Sequence, residues 1–244
     1  IALVVSNLIV SGLVVYHQTK QNYDKAQFTS LFQGATRYNN YIFFALSSAL
    51  FGEKGLSVVA SISPYMIVLT NVTAIMCFVY YLPPESGGAS KKQSMILMAK
   101  SIITNPFVIA SLVGFAFNYL KIELNMGIEK TIDSIADSAL TIGILIVGAS
   151  LKFKINPDHM KIIISASFIK LIITPIITFT ILWIMSISGI AKSVGILFSC
   201  LPCASSAYIL SRQLGGDPET MSSIITSTTI FSILSLSILV YILA

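Results

Sequence analysis

Residues 161–187 read KIIISASFIKLIITPIITFTILWIMSI, a run in which only Lys161 and Lys170 are charged. A helix needs about 20 mostly apolar residues to cross a bilayer, and this run is longer. Similar runs recur along the chain, at roughly 1–16, 33–51, 56–82, 104–120, 131–151, 190–212 and 219–243. One signal peptide or one anchor on a soluble body does not repeat in this way. Of the 244 residues, 55% are hydrophobic and 10% charged, with a mean hydropathy of +0.85. Soluble domains carry roughly 25% charged residues, and no soluble core hides this much apolar surface. The expectation is an all-α, polytopic membrane protein with about eight spans in one membrane domain.

The net charge of +5 does not point to nucleic acid, because the basic residues are scattered singly through short connections and form no patch with interleaved aromatics. They read as topology. One side of the membrane collects Lys20, Lys25, Arg37, Lys91, Lys92, Lys100, Lys152, Lys154, Lys161 and Arg212. The other has Lys54, Lys121, Lys130 and Lys192, with the acidic Glu123, Glu129, Asp133 and Asp137. Ten against four makes the first side cytoplasmic and places the C-terminal Ala244 outside. The stretch Pro83 to Ser90, with paired prolines and glycines and Glu85, is the clearest linker. A short amphipathic piece, Ser94 to Lys100, follows it and suits a membrane surface. The organisation expected is therefore 1–82 as an N-terminal half, 83–103 as linker and amphipathic piece, and 104–244 as a C-terminal half.

Enzyme signatures are missing from the sequence. There is no phosphate-binding glycine loop, no metal-ligand helix pattern, and no pair of carboxylates within a span. His17 and His159 fall in connections. Cys200 and Cys203 have the spacing of a thiol redox pair, but that chemistry needs an exposed thiolate at a helix N-terminus, and here the pair sits in an apolar helix. The third cysteine, Cys77, is also in an apolar segment. Neither a cofactor nor a metal is expected.

Carrier sites are commonly built where helices are interrupted in mid-membrane, since unwound backbone exposes N–H and C=O groups to a solute. Two segments have that character. The second carries Arg37, Tyr38, Asn39, Asn40 and Tyr41, then Ser47 and Ser48. The seventh carries residues 199–208, SCLPCASSAY. Pro202 removes a backbone donor and frees carbonyls in mid-span; a simple kink is the bland alternative. Asn39 and Asn40 lie near the start of a span, where a cap or an interfacial position also fits. Lys170 stands about nine residues into its segment, ~13 Å at the helical rise. A lysine there costs a few kcal/mol unless it snorkels or faces a polar interior. Snorkelling and a role in charge compensation are both open.

These stretches resemble the auxin efflux carrier family, which includes the plant PIN-FORMED carriers. Residues 32–39 (FQGATRYN) with Tyr41 resemble its first polar crossover, and residues 49–55 (ALFGEKG) follow. Asn105, Pro106 and Phe107 with Gly114 resemble the start of the second half, and residues 143–151 (GILIVGASL) the glycine-bearing helix after it. Residues 202–208 (PCASSAY) and 212–217 (RQLGGD) resemble the second crossover and its turn. The resemblance implies two inverted five-helix repeats, crossed broken helices, ten spans and both termini outside. The eight segments here would be the third to the tenth, with the first two absent before Ile1.

By the same resemblance, the crossovers would form the site and move as a bundle against a scaffold, an elevator-type mechanism, with a homodimer formed through that scaffold. Two departures stand out. The first crossover has no proline, Leu46 or a neighbour occupying that region, and Ser206 stands where many members have Asn. The function implied is efflux or exchange of a small organic anion, a carboxylate, across the bacterial inner membrane. Asn39, Asn40, Pro202, Ser205 and Ser206 would line the site, and Lys170 would compensate charge. A sodium-coupled symporter of the bile-acid transporter type and a truncated, non-transporting membrane protein are the alternatives.

Overall fold

The computed structural model describes residues 1–82, 89–122, 124–149, 151–152 and 156–243. The linker residues 83–88 (Glu85 among them), Glu123, Ser150, Lys154 and Ala244 lie outside these, as do the side chains of Lys91 and Asp137. Among the described residues every regular element is helical: α1 Ala2–Gln21, α2 Lys25–Thr36, α3 Asn40–Tyr81, α4 Lys91–Ile103, α5 Pro106–Tyr119, α6 Met126–Ala149, α7 Met160–Phe168, α8 Thr174–Ile184, α9 Gly189–Cys200, α10 Ala207–Gln213 and α11 Pro218–Leu243. Five stretches among the described residues are long and apolar enough to cross a membrane, and α5 and α9 are shorter apolar helices.

The interior is built differently from that of a soluble protein. Leu8, Ile109, Ile135, Leu145, Phe179, Trp183 and Leu234 face outward, while Thr29, Ser30, Gln33, Ser211, Ser223 and Thr228 are fully buried. In lipid the outside is the apolar solvent, so small polar residues collect where helices meet. Gly34 shows how closely they approach: a Cβ there would lie 2.5 Å from Ile224 Cγ2 of α11. The core of Val10, Val14, Phe28, Leu31, Ile162, Ala166, Met221 and Ile224 joins α1, α2, α7 and α11.

The second span begins at Lys25 and not near residue 33. Asp24 caps α2, its carboxylate accepting from the N–H groups of Ala26 (2.9 Å) and Gln27 (3.2 Å). The first turns look polar because they pack against polar partners; the Ser30 hydroxyl, for example, donates to the Asp217 carbonyl at 2.9 Å. The longer start moves Arg37 from a connection to the middle of the span, where it is buried. It therefore leaves the topology count, which becomes nine against four.

α3 is two helices joined at Gly52, whose φ of 56° and ψ of −149° suit glycine. The turn reverses the chain, since the Tyr38 hydroxyl reaches the Ser63 carbonyl at 3.4 Å. On a straight helix those residues would stand roughly 37 Å apart at 1.5 Å per residue. α4 is longer than the amphipathic piece expected, is capped by Ser90, and packs on α3 through Leu97, next to Ala74, Ile75 and Phe78. Between α7 and α8 a π-helical turn, Ile169–Ile173, carries Lys170. Pro175 offers no N–H to the residue four before it, and the ladder widens instead, with the Thr174 hydroxyl donating to the Ile169 carbonyl at 2.9 Å.

Candidate functional site

The two interrupted segments meet. In the first, α2 ends at Thr36 and residues 37–39 are extended, Arg37 at φ −86° and ψ 158°, Asn39 at φ −87° and ψ 108°. The break stands inside the stretch 32–41 that resembles the first crossover; Leu46, where a proline would fall, is helical, and the break needs no proline. Instead, its freed backbone groups find partners. Asn7 of α1 donates its amide to the Thr36 carbonyl at 2.9 Å, and the Asn39 N–H donates to the Pro202 carbonyl at 3.0 Å. The Asn39 side chain then caps α3 by accepting from the Ile42 N–H at 3.2 Å. Asn39 is thus a cap, as its residue type suggested, but in mid-span and not near a span's start.

In the second segment α9 ends at Cys200, and Leu201 is extended (φ −66°, ψ 145°). Pro202 lies in an unwound stretch that lasts to Ser206. Cys200 therefore ends the helix and Cys203 lies within the break, so the pair does not sit in a continuous helix; both are buried free thiols. The Cys203 N–H donates to the Thr228 hydroxyl at 3.3 Å, and its thiol to the Gln33 carbonyl at 3.6 Å.

A cavity of about 190 Å³ opens where the breaks meet, lined by residues 38–41, 204–206 and 105–107. Asn39, Asn40, Ser205 and Ser206 are all on its wall. Asn39 Nδ2 lies 3.4 Å from Ser205 Oγ and ties the two segments together. The Asn40 Oδ1 is buried without a partner among the described residues. Pro202 contributes the carbonyl that holds Asn39 and is not part of the lining. Lys170 is buried behind the second break, in electrostatic reach of Cys203 and Cys200, and also does not line the cavity. No carboxylate pairs with it among the described residues.

Three contributors were not assigned to the site from sequence. Arg37 is buried and donates through Nη1 to Gln33 Oε1 (3.0 Å) and through Nη2 to Ser206 Oγ (3.1 Å), which sets a fixed positive charge one hydroxyl away from the cavity. Asn105 caps α5 by accepting from the N–H groups of Phe107 (3.0 Å) and Val108 (3.3 Å). Phe107 itself forms part of the wall. The Asn-Pro pair at the start of an apolar run was the available signal for a helix start at this depth; for Arg37 the short break that centres it was hidden.

The profile of a family described as membrane transport protein matches residues 1–240, and the chain belongs to that family, the auxin efflux carrier group. It is similar to a protein provisionally named as a malonate transporter in Rhizobium meliloti, at 25% identity over 167 residues, or 65% of this chain and 50% of the relative. An uncharacterized transporter of Methanocaldococcus jannaschii is 26% identical over 201 residues, 81% of this chain and 62% of the relative. The chain thus spans half to three-fifths of the length of these relatives.

Proposed function

We propose that this membrane transport protein carries a small organic anion with a carboxylate group, by efflux or exchange, and that the cavity between the two breaks holds it. Arg37 is the observation that carries this reading. A buried guanidinium with only neutral partners leaves a net positive field at the Ser206 hydroxyl. Among the described residues no acidic side chain lines the cavity. The N-termini of α3 and α5 open onto it at Asn39 and Asn105, and helix N-termini favour negative charge. The name given to the Rhizobium relative supports a carboxylate.

In this proposal the Ser205 and Ser206 hydroxyls and the Asn39 and Asn40 amides hydrogen-bond the carboxylate oxygens, and Arg37 balances the charge. Lys170 acts from behind the second break, where its charge lowers the free energy of an anion in the cavity without touching it. The crossovers move together as an elevator-type bundle, consistent with their mutual hydrogen bonds. The setting is the bacterial inner membrane, with the Lys54 and Lys121 end outside and a homodimer as the working assembly. Thermal-shift titration of the purified protein with mono- and dicarboxylates tests the reading: a carboxylate should raise the melting temperature, and its amide analogue should not. Stabilisation by neither would refute it.

A further inference from the structure

A second cavity of about 600 Å³ lies between α3 and α5, with Ser57, Ser61, Ser111 and Asn118 on its walls and Phe44 and Phe107 at its floor. Phe107 also lines the crossover cavity, so its ring borders both spaces. Asn118 is ~20 Å along α5 from Asn105 at 1.5 Å per residue. The second cavity therefore extends from the level of the breaks towards the end of the bundle that carries Lys54 and Lys121.

The partition is aromatic. Phe107 stacks on Phe44, with ring centroids 5.4 Å apart and planes at 26°, and meets Tyr41 edge-on at 5.6 Å and 65°. Its main chain is fixed at both ends: the N–H donates to Asn105 Oδ1 at 3.0 Å, and the carbonyl accepts the Ser111 hydroxyl at 2.8 Å. Movement is left to the side chain. Tyr41 has little room to retreat, because a Cβ on Gly143 of α6 would already lie 2.5 Å from its ring. Stacked rings in such offset and edge contacts part and re-form without breaking any hydrogen bond.

We propose that Tyr41, Phe44 and Phe107 form a gate between the crossover cavity and a vestibule opening on the Lys54/Lys121 side, with Phe107 as its moving leaf. The proposal rests on the crossover cavity being the site a solute must reach. With the rings stacked, the path is closed; swinging Phe107 towards Ser111 joins the two cavities into one.

The test uses Ser205→Cys as a reporter in the crossover cavity, with a membrane-impermeant charged thiol reagent applied to oriented vesicles from one side at a time. The native cysteines are buried, and the parent chain gives their background. Phe107→Ala should raise the labelling rate at least tenfold from the Lys54/Lys121 side and leave the rate from the opposite side unchanged. Phe44→Ala, which removes the other half of the stack, should act in the same direction and covers a misfolded Phe107 variant; thermal melts identify such a failure. Rates within twofold of the reporter alone in the variants that fold, or equal rises from both sides, would overturn the gate. Labelling does not depend on which solute is carried. A gated path with no carboxylate binding would overturn the anion reading alone.

Discussion

Removing the Arg37 charge is the perturbation with the most direct physical reading. Its Nη2 donates to Ser206 Oγ at 3.1 Å, and a carboxylate oxygen bonded to that hydroxyl would sit about 3 Å further on, so the charges would lie roughly 6 Å apart. At an effective dielectric of about 20, their attraction is about 2.8 kcal/mol, roughly a hundredfold in Kd. Arg37→Met keeps the apolar stem and discards the charge. It should weaken carboxylate binding by up to that factor in calorimetric titration, with little effect on any neutral analogue that binds. Arg37→Lys keeps the charge but cannot hold Gln33 and Ser206 in the same fork, and an intermediate loss of about tenfold is expected. Both variants orphan polar atoms, at about 1–3 kcal/mol each, so binding must be compared at temperatures where both remain folded. A folded Arg37→Met that binds the carboxylate within twofold of the parent would refute the electrostatic reasoning.

Other substitutions test other parts. Asn39→Asp retains the α3 cap and places a negative charge on the cavity wall; it should melt within a few degrees of the parent yet lose anion binding, whereas Asn39→Ala should lose about 1 kcal/mol of stability as well. Lys170→Met replaces a buried, unpaired charge with an apolar chain of similar length and should raise the melting temperature while slowing carboxylate counterflow; unchanged counterflow would leave Lys170 without a role in charge compensation. Gly34→Ala drives a methyl into Ile224 and should cost about 1–3 kcal/mol, relieved by adding Ile224→Ala. Asp217→Ala removes the carboxylate that accepts from the Glu219 and Thr220 N–H groups at 3.0 Å, and thermal melts should show a loss of about 1 kcal/mol or more.

The fold class was legible because it rests on composition and run length, which tertiary packing does not alter. The second break was legible too, because Pro202 announces it locally. The first break lies within residues 32–41, the stretch that resembles a crossover, but no local residue marks where it begins and ends, for a definite reason. Nothing in residues 36–40 forbids a helix, and the chain unwinds there because partners distant in sequence satisfy its backbone: the Asn7 amide donates to the Thr36 carbonyl, and the Pro202 carbonyl accepts from the Asn39 N–H. The same cause hid Arg37, since its depth follows from where α2 begins, and the polar first turns of α2 mimic a connection. Asn39, Asn40, Ser205 and Ser206 line one cavity because the Asn39 bonds to Pro202 and Ser205 hold the two breaks together. Phe107 carries no local signal beyond its place in the Asn-Pro-Phe motif; that it faces two cavities depends on the reversal at Gly52, which brings Ser57 and Ser61 opposite α5.

Carboxylate counterflow in liposomes, comparing the parent with the Asn39→Ala/Ser206→Ala pair, tests most directly whether the breaks form the site of transport. The account predicts uptake driven by internal carboxylate in the parent and at least a tenfold loss in the paired variant, compared at a temperature where both remain folded. Undiminished counterflow in the folded variant would contradict it.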